Sequence, residues 1–569
     1  MHQLIKIKKS LIFISTLAVF TAPHHAIAAD AGQIQRDIER LNTPILPPKV
    51  SPEISPSAAP HVQSDISVKV SAFKLIGAQT ISDQTLQANI QRYIGQTLSF
   101  VELNRVTQVL SELYRKNGRL AKVFLPPQDI QNGVVTIEII EAKLGKIDTI
   151  APKAVRLNTA RASHMLAQAQ QAGLAMNMDA LERAMLLIND MPGYSAQATL
   201  ASGTQAAETD ITLSLTDKLL LTGNVWLDNY GTKPLGDWRL NGLVNFNNLT
   251  GHGDRLSLQA LKSRGLEYVA SDISFPIGYA GTAFMLGGSV ANYNIVEGAG
   301  KDLNAEGDSS SYHFSLKHPF IRSRNANLYG QASFESFFAQ NHVLGLEVSD
   351  QVYRAVTLDF SGDQSDSFGL GGLFWGGLGI TVGNLDLSGN RLDLASDKIS
   401  ARRDGHYGKL NVYVGRQQIL SDKWTGNAVL SAQLANQNLG GFEKFSLGGP
   451  SGLQGFAVGE ASADEGWMLN LEGRYAINQH WSTSVLADAG GVCQNKDTWA
   501  GWNAGNPKQD NCYQLASVGA GVSFINQYVD IKLNYGRKIS SNPGLDANGR
   551  DIEGQSAQHQ LWFLLSTRF

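Results

Sequence analysis

An α+β N-terminal portion followed by an all-β transmembrane barrel is the fold class this sequence predicts. Three observations predict it. An export signal opens the chain. Helical periodicity stops near Lys218. From there to Phe569 the apolar residues alternate with polar ones. Such alternation hides a membrane signal that a helix would display as one long apolar run.

Composition sets the frame. The 569 residues exceed one ordinary domain. Only 17% are charged, glycine is frequent at 57, and net charge is −3. The charge balance gives no reason to expect a nucleic acid or other polyanion partner. Past the N-terminus no apolar run reaches the roughly 20 residues of a membrane helix.

Residues 1–28 read as a signal peptide. Lys6, Lys8 and Lys9 are basic, Leu11 to Phe20 is the apolar core, and Ala26-Ile27-Ala28 is the cleavage motif. The mature chain is expected to start at Ala29. Cys493 and Cys512 would then meet an oxidising compartment, where a disulfide is the expected state. No histidine lies at ligand spacing beside them, so no metal is expected.

Residues 29–42 carry a short amphipathic helix with Ile34, Ile38 and Leu41 on one face. Residues 43–65 form a linker with Pro44, Pro47, Pro48, Pro52, Pro56 and Pro60, expected to be extended. A helix on a tether is either a movable part or a frayed terminus, and composition alone favours the frayed terminus.

Residues 66–142 read β-α-α-β-β. Val68, Val70 and Phe73 mark a strand. Ser82 caps a helix with Leu86, Ile90 and Ile94 on its buried face. Ser99 and Glu102 form a capping box before a helix that buries Leu103, Val106, Leu110 and Leu113. A strand at Ala121 to Leu125 and a turn at Asn132-Gly133 lead into alternating Val135, Ile137 and Ile139. Residues 143–217 repeat the layout, with a helix on Leu181, Met185 and Ile188 that stops at Met191-Pro192-Gly193. The two are tandem modules of about 75 residues.

Residues 218–569 predict about sixteen strands, with short turns on one side and long loops on the other. The long loops fall near 297–308, 386–405, 440–466, 493–512 and 540–556. Phe563, Leu565 and the terminal Phe569 would face lipid. A lumen this wide stays open unless something fills it.

Motifs for catalysis or phosphate binding are missing from the sequence. Gly369 to Gly379 reads as barrel wall. His313 and His318, five apart on a strand, face opposite sides. Arg402-Arg403-Asp404 reads as a solvated loop. The glycine-rich stretch Gly448 to Phe456, followed by Glu460, Asp464 and Glu465, is compatible with an ordinary surface loop.

Several stretches together resemble the two-partner secretion transporters (TpsB). They are Phe73 to Gly77, Tyr114 to Gln128, Asn189 to Gly193, Asp228-Asn229-Tyr230-Gly231, Asn248 through Gly251-His252-Gly253-Asp254, and His318 to Arg324. The resemblance implies two polypeptide-transport-associated (POTRA) domains and a 16-stranded transmembrane barrel in the outer membrane of a Gram-negative bacterium. It implies a pore, not an enzyme, without cofactor or ATP. A TpsA-type secreted exoprotein would be captured unfolded in the periplasm, by β-augmentation on a module edge. Other implied partners are outer-membrane lipid, periplasmic chaperones and the barrel-assembly machinery, with the transporter itself a monomer. The alternative within the superfamily is an assembly factor that inserts barrels.

It also implies that the helix at 29–42 plugs the barrel and that the loop at 440–466 folds into the lumen. The loop tip Leu453-Gln454-Gly455-Phe456 matches a motif that usually carries arginine second. Its wall partner matches at Leu486 to Gly490, which makes it Asp488. Glutamine at 454 can hydrogen-bond Asp488 but cannot form a bidentate ion pair.

Overall fold

The computed structural model describes residues 30–42, 67–504, 506, 507 and 509–569. The signal-peptide and proline-linker assignments lie outside the described residues. A helix, α1 (Ala31–Asn42), opens the described chain, followed by two α+β modules and a barrel.

In the first module, β1 (Ser67–Lys69) pairs with β3 (Thr97–Ser99). A three-stranded sheet joins β2 (Ala72–Ile76), β5 (Val134–Glu141) and β4 (Ala121–Phe124), with β5 in the centre. β2 and β5 run parallel. A parallel pair needs a crossover, which α2 (Asp83–Ile90) and α3 (Phe100–Lys116) supply. The second module has the same order: β6 (Lys143–Ile150), β8 (Glu208–Asp217), β7 (Tyr194–Ser202), with β6 parallel to β8. Its crossover helices are α4 (Thr159–Ala169) and α5 (Met178–Asp190).

Local chemistry sets these boundaries. The Ser82 side chain accepts from Thr85 N–H to start α2. Both halves of the Ser99/Glu102 capping box are formed at the start of α3. Asn132 and Gly133 both take positive φ, so the turn reverses as expected. Two details differ from the sequence reading. The predicted first strand is split into β1 and β2. Ile94 is 41% exposed, because α2 gives way to a 3₁₀ turn at Gln91–Tyr93 whose period rotates it off the buried face.

In α3 Tyr114 is fully buried along with Val106 and Leu110, while Leu113 is only partly buried. The Tyr114 hydroxyl donates to Glu141 at 2.8 Å. Glu141 also accepts the backbone N–H groups of Gln79 and Thr80, each at 2.8 Å. Burial pushes the carboxyl upward, but these donors outweigh it and hold the pKa below the ordinary glutamate value.

Among the described residues, sixteen antiparallel strands close into a barrel, from β9 (Leu221–Asp228) to β24 (His559–Arg568). Closure runs from Leu564↔Asp228 to Arg568↔Asn224. Asn229 extends the seam: its side chain donates to Leu561 O and accepts from Phe563 N–H. At the far end Phe569 and Gly223 exchange both backbone hydrogen bonds. Leu286, Phe314, Leu358, Val382, Val485, Leu565 and Phe569 are exposed on the outer face, as a lipid-facing wall requires.

The five long loops lie on one side as expected, but two connections on that side, 263–265 and 344–345, are tight turns. The 369–379 glycines lie in a turn and in β17 (Gly372–Asp386). His313 pairs with Asp272, and His318 contacts Thr282 from the opposite face of the strand. In the 402–404 cluster Arg402 and Asp404 are exposed, as a solvated loop requires, while Arg403 is partly covered. Arg403 grips Asp397 at 2.8 Å, and Asp397 is 1% exposed, so the pair braces a loop helix, α7 (Arg391–Ile399), which follows the one-turn α6 (Ala299–Asp302). Cys493 and Cys512 are bonded directly across two neighbouring strands.

Three motifs far apart in sequence meet where the second module joins the barrel. Gly251 O accepts from Tyr194 Oη and from Asn158 N–H, each at 2.7 Å. Gly253, at φ +86°, leaves room for Met191 that a Cβ would take. Arg322 binds Asp190 through two bonds of 2.7 and 2.8 Å, and Arg183 donates to Pro319 O at 2.6 Å. Arg324 pairs with Glu182 beside them.

Because Glu141 is ionised in the fold and held below its free value, its stabilisation is complete above the ordinary glutamate range. It is lost as pH falls through the lowered folded value. Glu141→Ala is expected to cost the first module about 2–4 kcal/mol, leaving three donors unpaired. Urea unfolding monitored by tyrosine fluorescence, at neutral and acid pH, checks both the cost and its disappearance in acid.

Candidate lumen site

The barrel interior holds two insertions, α1 and the loop joining β19 (Trp424–Ala435) to β20 (Glu465–Ala476). The loop runs down into the lumen and back. Phe445 and Ala463 pair across its two limbs. Leu447, Leu453 and Phe456 are fully buried against Met468, Val492, Tyr513 and Leu515 of the wall. The 440–466 segment is therefore a lumen loop and not an ordinary surface loop.

At the tip, Gly455 lies against backbone atoms of Arg537 and Lys538, where a Cβ would approach to 2.8 Å. Phe456 lies under the Lys538 ammonium, 5.1 Å from the ring centroid. Gln454 and Asp488 are brought together, but through the glutamine backbone. Gln454 N–H donates to Asp488 at 3.2 Å. The Gln454 side chain accepts from Asn534 at 3.0 Å, and its carbonyl accepts from Trp562 Nε1 at 2.8 Å. Asp488 takes its remaining bonds from Asn470 at 2.9 Å and Ser517 at 3.1 Å.

Asn470 and Ser517 are the direct cross-strand neighbours of Asp488. Asn470 also donates to Gly452 O at 2.9 Å. The tip thus ties together β20, β21 (Trp481–Cys493), β22 (Cys512–Ile525), β23 (Val529–Lys538) and β24. Above it, Lys444 and Asp464 form a buried pair at 2.7 Å across the limbs, and Glu460 accepts from Asn542 and Ile552 N–H.

Helix α1 lies between this loop and the opposite wall. Ile34 and Ile38 are buried in a cluster with Tyr268, Tyr293, Phe337 and Phe442. Leu41 belongs to the helix backbone, and its side chain lies outside the described residues. Ala31 N–H donates to Asn341 at 2.9 Å, and Gln35 to Ser289 at 3.1 Å. The frayed-terminus reading that composition favoured fails here, since an apolar stripe this short is marginal in water but gains a partner in the lumen. On the loop side, Arg36 donates to Gly441 O, Lys444 O and Ser462 Oγ, and Arg40 to Ser446 Oγ.

Arg36, Arg40, Asn470, Ser517, Asn534 and Trp562 are site residues that the sequence reading missed. The arginines left a trace, since they are four apart on a helix with an apolar stripe. The wall residues left none, because strand register brings them to Asp488. Among the described residues no cluster fit for a metal ion is present.

Fold and site define a class: an outer-membrane β-barrel with POTRA domains and a lumen filled by its own chain. Comparisons with known proteins carry this further. The haemolysin secretion/activation protein family model (ShlB/FhaC/HecB) matches residues 207–524, and the ShlB-type POTRA model matches 68–142. The heme/hemopexin transporter protein HuxB of Haemophilus influenzae (strain 86-028NP) is 28% identical over 505 residues, covering 86% of this chain and 85% of that one. The outer membrane transporter CdiB of Escherichia coli O6:K15:H31 (strain 536 / UPEC) is 25% identical over 420 residues, covering 71% and 68%. The solved structure of CdiB from Escherichia coli matches in fold with a TM-score of 0.69 at 20% identity, covering 96% of this chain and 100% of that one.

The chain belongs to the haemolysin secretion/activation (ShlB/FhaC/HecB) family. It is an outer-membrane two-partner secretion transporter, with its POTRA domains in the periplasm and a secreted exoprotein as its partner.

Asp488→Ala leaves Asn470, Ser517 and the tip N–H without their acceptor, whereas Gln454→Ala removes only the bond to Asn534. Asp488→Ala is expected to lower exoprotein secretion several-fold more than Gln454→Ala. Immunoblots of medium and cells, normalised to heat-modifiable folded barrel, check the order.

Proposed function

We propose that this transporter is a plugged pore, closed at rest by α1 and opened when that helix leaves. The carrying observation is that α1 lies in the lumen, between the loop and the opposite wall, as one short helix that contributes no strand to the barrel. Such a part can depart without breaking the barrel ladder.

The exoprotein arrives unfolded in the periplasm. The edge strands of the module sheets, β2 and β4 in the first and β6 and β7 in the second, suit capture by strand addition. The bonded junction of the second module with the periplasmic turns keeps a captured segment beside the barrel mouth. The Gln454 tip and Asp488 hold the loop against one wall, and Ile34 and Ile38 hold the plug against the other. Translocation uses no ATP, and folding of the emerging chain outside draws it forward. The protein acts as a pore and catalyses no covalent step. It works as a monomer in lipid, after delivery by periplasmic chaperones and the barrel-assembly machinery. Its cargo is a single large exported polypeptide; the names of the Haemophilus and Escherichia relatives differ in what they describe, so the cargo is best identified by co-expression.

Two measurements test the reading. Deleting residues 31–42 is expected to raise single-channel conductance in planar bilayers several-fold, and unchanged conductance would remove the plug. Co-expression with the large exported protein encoded nearest to this gene is expected to place that protein in the medium or on the cell surface. Deleting residues 66–217 should leave it in the periplasm while the barrel still inserts.

A further inference from the structure

The tip of the lumen loop is held by neutral donors alone. Asp488 is 5% exposed and receives a backbone N–H, an amide and a hydroxyl, with no cation among its bonds. The charged grip on the loop comes from elsewhere. Arg36, 8% exposed, donates one Nη to Gly441 O at 3.3 Å, Lys444 O at 3.2 Å and Ser462 Oγ at 2.9 Å. The first two acceptors lie on the descending limb and the third on the ascending limb. One guanidinium therefore crosses both limbs of the loop.

Its charge is balanced within the helix, by Asp37 at 2.9 Å. Arg40, one turn further on, reaches Ser446 and lies against Gly452 at the tip. Gly459 on the returning limb lies against Asp37. At the N-terminal end, Gly32 packs on Phe442, whose ring stacks on Phe337 of the wall at 4.3 Å. Helix and loop thus share an interface from the loop's entry to its tip.

From this we infer that Arg36 is a positioning residue that locks the 440–464 loop in the lumen, so that helix and loop are released together. Departure of α1 carries both the guanidinium and its counter-charge away. The loop's two limbs then lose their shared charged donor, and three acceptors go unpaired in a partly dry lumen. The loop then keeps the neutral tip bonds, the Lys444–Asp464 pair and its wall contacts at Glu443 and Glu460. A single event at the periplasmic side would widen the pore twice, first by the helix and then by the loop. This inference rests on the plugged-pore reading, but its test is separate from it.

The test is maleimide labelling of Ala457→Cys in outer-membrane vesicles. Ala457 lies on the loop and is 1% exposed, and the native cysteines are bonded to one another. Labelling is measured in four backgrounds: otherwise wild type, Arg36→Ala, Arg36→Lys, and deletion of residues 31–42. Heat modifiability confirms that each barrel is folded, and single-channel conductance is recorded alongside. The expected result is slow labelling with the intact helix. Labelling should be faster by about tenfold in Arg36→Ala, and at least as fast without the helix. Arg36→Lys, which keeps the charge but not the planar fork, should fall between. Labelling that stays slow in the deletion while conductance rises would overturn the lock and leave the plug standing. Unchanged conductance with faster labelling would do the reverse. If Arg36→Ala fails to fold, the deletion background alone decides, because slow labelling there overturns the lock and fast labelling supports it.

Discussion

A closed ladder of sixteen strands makes a cylinder too wide for its own inward side chains to fill, and the rest of the structure depends on that constraint. Closure is compulsory, because an open edge would leave backbone groups unpaired in lipid. The resulting hollow must be occupied by something other than the wall. Here it is occupied by a loop that returns through the lumen and by a twelve-residue helix from the other end of the chain. Each covers apolar surface on the other.

The same constraint explains where the polar chemistry lies. Inside the barrel, buried carboxylates need donors, and strand register provides them. Asp488 sits between Asn470 and Ser517 on its two neighbouring strands, which leaves one acceptor site for the loop tip. Because the tip contributes a backbone N–H, residue 454 can be glutamine and still keep the contact. A backbone donor needs close approach, and Gly455 and Gly536 allow it where a Cβ would collide.

Outside the membrane the controlling interaction is the junction between the second module and the periplasmic turns. Tyr194 binds the Gly251 carbonyl on one turn, while Arg183 and Asp190 bind the Pro319 carbonyl and Arg322 beside another. A connection of that kind transmits orientation, so the module sheets are presented to the periplasm at a set angle to the barrel mouth. The modules are thus bonded to the barrel by polar contacts with its turns, whereas α1 is held in the lumen by side-chain packing and bonds to the loop and the wall.

Much of this was legible in the sequence. Alternation, turn residues and loop lengths determined the barrel and its sidedness, because period-two patterning is a local property that a lipid-facing wall imposes on each strand. The capping box at Ser99 and the Asn132-Gly133 turn were equally local. The fate of the helix at 31–42 was not, since an amphipathic stripe records that a partner is needed and not which one. Nor could the sequence reveal that Arg403 pairs with a buried Asp397, or that Arg36 spans two limbs of a loop some 400 residues away. Those pairings exist only once the barrel closes, when register and the wrapped lumen bring distant residues within hydrogen-bond reach.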